Sequence, residues 1–380
     1  MAAINLTGRG PITGGASLGC DPEFFISRKG VKNRHIVGSE RILGNGKFAK
    51  TAPVSPDGVQ VEIHPTSSYC RQGHASYIMQ CMKALKTAVT QAEGKGGLKG
   101  LQVDFRQTIS VSKTELARLS EGARILGCLP SENAYPETKK LEPDGKISTT
   151  RSAGGHIHFG MKAEDPANFA KLCDVLIGIP AVLMDRDEKA AIRRKKYGRA
   201  GEYRTPSHGF EYRTLSNFWM RDYVVYALIF GLAKTASGIE YTAQQAKNPT
   251  YRSSYNTLLR GDILGQADFA KVRKAINSND FDLAYEVFND VCRPVFSSLN
   301  TGIGLGVSNI QMWDHFIEKG LDHWFPFDND RILNRWTSEA GYGAGWESWA
   351  DSTLRGSYEK DRLAKGSKSV KIDPITGKAI

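Results

Sequence analysis

Four short segments of the sequence place polar side chains at alternate positions among apolar neighbours. The polar residues are Asp21 and Glu23, then Gln60, Glu62 and His64, then His156 and His158, and finally Glu211 and Arg213. Because successive side chains of a β-strand point to opposite faces, each set would share one face of an extended segment. A face with carboxylates, imidazoles and an arginine is costly to bury unless other charges balance it. Divalent cations and phosphates would balance all of these groups together.

The pair His156 and His158 is the most informative set, because glycines flank it in the string GGHIHFG at 154–160. Each set alone has an ordinary explanation, such as a turn, a surface histidine or a cross-strand ion pair. The four sets together favour a functional site, since every ordinary explanation would have to hold at once.

The donor types indicate which metal such a site would prefer. Carboxylates outnumber histidines in the four segments, and none of the 6 cysteines forms a Cys-x-x-Cys pair. Oxygen-rich sites favour Mg²⁺ or Mn²⁺ over Zn²⁺. Magnesium beside arginines is typical of phosphoryl transfer, yet the sequence lacks a GxxxxGK[ST] loop. Metals and arginines would therefore have to hold the phosphates.

The elements that must position these residues are predicted to form a mixed fold. Strands are predicted over 20–27, 59–63, 101–105, 151–159 and 210–215. Helices are predicted over 77–92 and 165–187, the second bent near Pro180. From 219 to about 336 the pattern is mostly helical. An antiparallel sheet backed by helices fits this order better than a regular βαβ alternation.

Composition limits the class of protein further. The 380 residues have a net charge of +11, which predicts anionic partners such as nucleotide phosphates, acidic substrates or nucleic acid. The irregularly spaced cysteines predict free thiols in a reducing cytoplasm. The start of the chain lacks the pattern of a secretory signal, and the longest apolar run, 224–233, is too short to span a bilayer. We therefore expect a cytoplasmic protein without membrane contact, with that run as a buried helix.

Three further features of the sequence carry less information. The basic run 193–196 is predicted to be a solvated surface, with steering of an anionic substrate as the alternative. The segment 127–135 is predicted equally well as a structured loop or as the lining of a substrate pocket. The string Glu-Tyr-Arg-Thr occurs twice, at 202–205 and at 211–214.

The four polar segments resemble motifs of the glutamine synthetase superfamily, in the same order. GCDPEFF at 19–25, VEI at 61–63 and GHIH at 155–158 are similar to its G-x-E-x-E-F-F, N-E-I and G-x-H-x-H strands. Arg204 followed by FEYR at 210–213 is similar to its R…E-x-R segment. The best match within the superfamily is the phage COOH.NH2 ligase type 2 group, with its DPEFF-like start, DGV-x-x-E strand, SAGGHIHFG and EYRTLSNFW. The resemblance covers roughly 17–220.

This resemblance implies a fold and a domain organisation. The fold would be α+β, with a glutamine synthetase-like antiparallel sheet, flanking helices and a mostly helical C-terminal region. Residues 1–220 would form the catalytic core, and residues 221–355 would complete the same domain. The polar, basic residues 356–380 are predicted to be a flexible tail.

The resemblance also implies metal ligands. Glu23 and Glu62 would bind one magnesium ion, and Asp21, His156 and Glu211 would bind a second. Asp21 stands where the superfamily usually has a glutamate, so its shorter side chain could reach the metal through water. A third ligand to the first metal has no clear counterpart, and the candidates are Asp57, Gln60 and His64.

Phosphate-binding and catalytic roles follow from the same resemblance. His158 would contact the nucleotide phosphates. Arg204 and Arg213 would neutralise the transferred phosphoryl group, with Arg199 as a weaker candidate. Arg213, Arg204 and Glu62 would form the catalytic set.

The implied activity is that of an ATP- and Mg²⁺-dependent carboxylate–amine ligase, with Mn²⁺ as the alternative metal. A carboxylate is a poor electrophile at neutral pH, so transfer of the γ-phosphoryl group would create an acyl phosphate that an amine attacks. Small molecules or peptides would supply the carboxylate and the amine. The general base stays open, and Asp57 fits that role by position alone.

Three other functions stay open from the sequence. One is a phosphotransferase on the same fold, and another is a zinc hydrolase that uses His156 and His158. The third is a non-catalytic, basic nucleic-acid-binding or virion-associated protein, against which the dispersed charge and the nearly complete set of site residues argue. The oligomeric state is also open, since a neighbouring subunit can complete a site of this kind. A phage-encoded enzyme would work in the host cytoplasm.

Overall fold

The computed structural model describes residues 15–29, 35–44, 52–124, 131–136, 149–245, 255–299 and 317–338. Within them the protein is a mixture of helices and antiparallel sheets, which confirms the predicted α+β class. The basic tail and residues 127–130 of the 127–135 segment, among them Cys128, lie outside the described residues. The other cysteines are free, as predicted.

The strands of the described residues are short. In chain order they are β1 (Leu18–Cys20), β2 (Glu23–Arg28), β3 (Ile36–Val37), β4 (Val54–Asp57), β5 (Gln60–Ile63), β6 (Leu101–Asp104), β7 (Thr108–Ser110), β8 (Glu132–Asn133), β9 (Thr150–Ser152), β10 (Ile157–Phe159), β11 (Glu202–Arg204) and β12 (Phe210–Tyr212).

The helices dominate the second half of the chain. They are α1 (Glu40–Leu43), α2 (Arg71–Ala92), α3 (Lys113–Ala117), α4 (Glu121–Arg124), α5 (Pro166–Cys173), α6 (Ile179–Met184), α7 (Ala190–Arg194), α8 (Tyr223–Gln245), α9 (Tyr255–Gln266), α10 (Phe269–Ser278), α11 (Phe281–Val287), α12 (Arg293–Leu299), α13 (Leu321–Trp324) and α14 (Asn329–Thr337). Two π-helical turns, Asp174–Gly178 and Phe288–Cys292, join α5 to α6 and α11 to α12.

Two five-stranded sheets organise the site. The first has the order β1-β10-β12-β11-β8, and the second has the order β3-β2-β5-β4 with β6 also paired to β2. In the first sheet, His158 lies opposite Gly19 on one neighbour and Glu211 on the other. In the second sheet, Glu23 lies opposite Glu62. A separate ribbon pairs β7 with β9.

The two sheets meet where the chain passes from β1 to β2. Only Asp21 and Pro22 separate these strands, so the predicted strand 20–27 is wrong as a single element. The predicted strand 151–159 is likewise divided into β9 and β10. Its middle leaves the ladder because Gly155 N donates to Leu215 O (3.1 Å). The expectation of one shared sheet face is therefore wrong, and the polar segments lie in two sheets.

The helices agree better with the sequence pattern. The helix predicted over 77–92 begins earlier, at Arg71, and buries apolar positions three and four apart. The predicted bend near Pro180 coincides with the π-helical turn before it, which accommodates a residue without a backbone N–H.

Two apolar helical stretches lie inside the molecule. The run 224–233 lies in α8 and is almost completely buried, as predicted. The stretch Pro166–Met184 is long and apolar enough to cross a membrane by length and composition, but 83% of it is buried inside the protein. A single large hydrophobic cluster extends from Leu18 in β1 to Trp336 in α14.

Candidate active site

The site lies beside the crossing between the two sheets, and the first sheet supplies a compact group of donors. His156 Nδ1 lies 3.0 Å from Asp21 Oδ1 and 3.5 Å from Glu211 Oε1. His158 Nε2 lies 3.2 Å from Asp21 Oδ2. Asp21, His158 and Glu211 offer ligand atoms that all lie within 4.8 Å of one another. The predicted metal and phosphate residues of this sheet are therefore close together.

Arginines neutralise the carboxylate at the centre of this group. Arg204 binds Glu211 with both sides of its fork, from Nε to Oε2 (2.8 Å) and from Nη2 to Oε1 (2.7 Å). Arg213 Nε lies 3.1 Å from Glu211 Oε1. Arg204 and Glu211 are opposite each other on β11 and β12, so the strand register creates the pair. We call this group the first-sheet half: Asp21, His156, His158, Arg204, Glu211 and Arg213.

The second sheet supplies a different kind of group. Glu23 Oε2 accepts hydrogen bonds from Gly154 N (2.9 Å) and from Gln60 Nε2 (3.2 Å). Glu62 lies opposite it on β5, with His64 Nε2 3.6 Å from its Oε2. Asp57 ends β4 beside them. Among the described residues, no lysine or arginine forms an ion pair with these carboxylates. We call Glu23, Asp57 and Glu62 the second-sheet half.

The pKa values of the carboxylates differ between the halves. Burial, followed by the charge of Asp57, raises the pKa of Glu23 to about 8. Burial and the charges of Asp21, Asp57 and Glu23 raise the pKa of Glu62 to about 11. Burial and the charge of Asp21 also raise the pKa of Asp57. The second-sheet half is thus a crowded set of acids in which burial and mutual repulsion outweigh the attraction of more distant positive side chains.

The first-sheet half shows the opposite shifts. Burial alone would raise the pKa of Asp21, but His156 and His158 hold that pKa well below its usual range. Burial likewise opposes ionisation of Glu211, yet the hydrogen bonds from Arg204 keep its pKa low. Asp21 in turn raises the pKa of His158 despite the burial of that ring.

Glycine at 154 allows the two halves to meet. A side chain there would place its Cβ 2.6 Å from His156 Nε2 and 2.9 Å from Glu23 Oε1. Gly155 has the same role on its other side, since a Cβ would lie 2.7 Å from Trp219 Nε1. The glycines of GGHIHFG therefore provide space for close backbone approach.

Two predicted basic groups lie elsewhere. Arg199 donates from Nε to Glu202 Oε1 (3.0 Å) and makes no ion pair with the first-sheet half. The predicted solvated run 193–196 is wrong for its first two residues, which are buried. Arg193 donates to Thr214 O and Leu215 O (2.7 Å each), because those carbonyls follow β12 and need partners. Lys195 is exposed, as predicted.

Tyr197 is a site residue that the sequence did not single out. Its hydroxyl is hydrogen-bonded to His156 Nε2 and accepts from Arg213 Nη2 (3.2 Å). A tyrosine in a loop, outside any alternating segment, has no spacing that would mark it. Only its place before the Arg199–Arg204 stretch could have drawn attention to it.

The residues present fit a bound cation. Asp21 Oδ1, His156 Nδ1 and His158 Nε2 are buried and, within the described part of the chain, have no hydrogen-bond partner of good geometry. These atoms face one another. Oxygen and imidazole donors that converge without partners suit a divalent metal. The assignment of His156 to metal and His158 to phosphate stays a prediction, as do the roles of Glu23 and Glu62.

Comparison with known proteins supports the family indicated by the motifs. Residues 146–275 match the family model of the phage phiEco32-like COOH.NH2 ligases of type 2. This stretch contains His156, His158, Glu211 and both site arginines, and it confirms the resemblance. The family is named for carboxylate–amine ligation. No curated protein matches the chain significantly.

Proposed function

With that family as the premise, we propose that the protein is an ATP- and Mg²⁺-dependent carboxylate–amine ligase that acts through an acyl phosphate, with Mn²⁺ as the alternative metal. The observation that supports this most is the convergence of two unlike groups at one sheet crossing. One group pairs carboxylates with imidazoles and arginines, and the other is a set of crowded acids whose pKa values are raised. Cations and arginines together are what phosphoryl transfer needs.

In this proposal Glu23 and Glu62 hold one cation and Asp21, His156 and Glu211 hold another. His158 contacts the phosphates, although its distance of 3.2 Å from Asp21 also suits it as a ligand. Bound Mg²⁺ would neutralise phosphate oxygens and favour attack at phosphorus.

The arginines have a second task in the proposed reaction. A cation at Glu211 competes with the fork of Arg204, which then becomes available for phosphoryl oxygens. Arg213 is 3% exposed and remains beside Glu211. The pair would bind the charge that develops on the transferred group.

The bonds change in two steps. A substrate carboxylate oxygen attacks the γ-phosphorus and the bond to the ADP oxygen breaks. The nitrogen of an amine then attacks the acyl carbon, inorganic phosphate leaves, and the nitrogen loses a proton to a base. Asp57, at the end of β4, is the candidate base by position.

Hydroxylamine provides the test, since it traps acyl phosphates as coloured hydroxamates. The protein is incubated with Mg·ATP, a pool of carboxylates and hydroxylamine, and both ADP and hydroxamate are measured. Glu211→Gln should lower hydroxamate formation by about 100-fold or more. Glu286→Ala is the control, because Glu286 pairs with Lys271 on the exposed surface.

The possible results separate the alternatives. Hydroxamate that depends on Glu211 supports the ligase. ADP without hydroxamate supports the phosphotransferase instead. If calorimetry detects no ATP binding with or without Mg²⁺, the proposal is wrong.

A further inference from the structure

Tyr197 stands between two residues of the first-sheet half. Its side chain is almost completely buried, at 7% exposure. Its ring meets the His156 ring edge-on, with centroids 5.4 Å apart and an angle of 89°. Its oxygen is hydrogen-bonded to His156 Nε2 and accepts from Arg213 Nη2. One phenol therefore contacts both an imidazole and a guanidinium of the site.

This contact distinguishes the two nitrogens of His156. Nε2 is occupied by the phenol, whereas Nδ1 faces Asp21 Oδ1 at 3.0 Å and Glu211 Oε1 at 3.5 Å. The proton of a neutral imidazole resides on one nitrogen, and the partner of one nitrogen influences which. A ligand histidine usually has such a partner on its other nitrogen.

We propose that Tyr197 is a positioning residue, which holds His156 by Nε2 and so fixes Nδ1 as the nitrogen presented to Asp21 and Glu211. Where it concerns a cation shared by these three residues, the inference rests on the proposed function. The orientation of His156 in the metal-free protein does not depend on it.

The loop around Tyr197 is built to hold it in place. Gly198 has φ +70°, and a Cβ there would collide with the guanidinium of Arg193. Gly198 N donates to Glu202 Oε2 (2.9 Å), and the same carboxylate binds Arg199. The guanidinium of Arg193 lies 5.0 Å from the centroid of the Tyr197 ring. These polar contacts hold the loop beside Tyr197 in one conformation, as expected where a hydroxyl must keep a fixed position.

The test compares Tyr197→Phe with Tyr203→Phe. Both tyrosines are buried to a similar degree, at 7% and 6% exposure, and both variants remove only a hydroxyl. Tyr203 stacks on Phe210 and its hydroxyl is near Glu132, away from the first-sheet half. Circular dichroism establishes that both variants fold.

The first readout is the ¹⁵N NMR spectrum of histidine-labelled, metal-free protein at one pH, with His156→Gln to assign the signals. Wild type and Tyr203→Phe should show His156 as a single neutral tautomer. Tyr197→Phe should shift both His156 nitrogens toward the values of a tautomer mixture. Unchanged His156 shifts in Tyr197→Phe would overturn the inference.

The second readout is Mn²⁺ binding, followed by the electron paramagnetic resonance of the free ion. Tyr197→Phe should bind Mn²⁺ about 10- to 100-fold more weakly than wild type, and Tyr203→Phe should not. Equal affinity in Tyr197→Phe counts against the inference and leaves the ligase proposal intact. If wild type itself binds no Mn²⁺, the metal part of the proposed function fails, and the NMR comparison alone decides the role of Tyr197.

Discussion

The two halves of the site contain similar numbers of carboxylates but neutralise them differently. In the first-sheet half, Asp21 is beside two imidazoles and Glu211 is beside two guanidiniums. In the second-sheet half, Glu23 and Glu62 are close to an amide, a backbone N–H and a histidine, and the charges of Asp21 and Asp57 raise the pKa of Glu62. The first-sheet half is therefore partly neutralised by cationic side chains of the protein, whereas in our proposal the second-sheet half depends on a bound metal ion for its neutralisation.

Stability and function are expected to conflict in the second-sheet half. Acids that are paired within the protein add to its stability, whereas acids that wait for a ligand reduce it. The same substitution, glutamate to glutamine, should then have opposite effects in the two halves. The predictions below follow from that expectation.

The largest effect on stability is expected from Glu211→Gln in the metal-free protein. Glu211 is 4% exposed, and its loss leaves the buried guanidinium of Arg213 without that carboxylate. Removal of one partner from a buried pair costs about 3–5 kcal/mol. Urea unfolding measures the change, with Glu286→Ala as the surface control. A loss below about 1 kcal/mol would mean that the first-sheet half is not a stabilising network.

The next effect is expected from Gly154→Ala, which pushes the halves apart. The new methyl group would meet both His156 and Glu23, and overpacking of this kind costs about 1–3 kcal/mol. Mn²⁺ binding should weaken in the same variant, because donors of both halves are displaced. Gly122→Ala is the matched control, since a Cβ there has nothing within 4 Å. If Gly154→Ala and Gly122→Ala had the same free energy of unfolding and the same Mn²⁺ affinity, the close approach at Gly154 would be contradicted.

A smaller effect of the opposite sign is expected from Glu62→Gln. With a pKa of about 11, Glu62 is protonated in the folded metal-free protein at neutral pH but ionised in the unfolded chain, so folding must protonate it. Glutamine avoids that cost, and the free energy of unfolding should rise by about 1 kcal/mol. Mn²⁺ affinity should fall in the same variant. If metal-free Glu62→Gln were less stable than metal-free wild type, the expected contrast between the two halves would be wrong.

The smallest effect is expected from Arg199→Ala. Its guanidinium binds Glu202 rather than a carboxylate of either half, so its removal should change nucleotide binding least among these variants. ATP affinity should stay close to that of wild type, while Arg204→Ala should weaken it. A loss of ATP affinity in Arg199→Ala as large as in Arg204→Ala would restore the phosphate-binding role that the resemblance implies.

The polar alternation indicated residues that the fold brings close together, but not how the sheets divide them. Side-chain period is local, so Glu62 or Glu211 can be found from its immediate neighbours. Strand partners are not local: β10 pairs with β1 and β12, while β2 pairs with β3, β5 and β6. The division at Asp21 and Pro22 depends on those distant pairings.

The repeated string Glu-Tyr-Arg-Thr, which occurs twice in one hairpin, also shows that local sequence alone does not determine the role of a residue. Its two copies lie on β11 and β12 with Tyr203 opposite Tyr212. Glu211 belongs to the first-sheet half, whereas Glu202 holds the loop at Gly198. Identical residues acquire different roles because different strands and loops flank the two edges of the hairpin. Arg193 is a similar case. The sequence around it predicts an exposed basic run, but Arg193 is buried because it donates to a carbonyl of a distant segment, Thr214 O.

The two-residue passage between β1 and β2 also limits how the two sheets can move relative to each other. Two residues span at most about 7 Å when fully extended, so Asp21 and Pro22 act as a short tether between the sheets. Any movement of one sheet against the other would therefore have to pivot close to Asp21, and the donors nearest to Asp21 would keep their spacing through such a rotation.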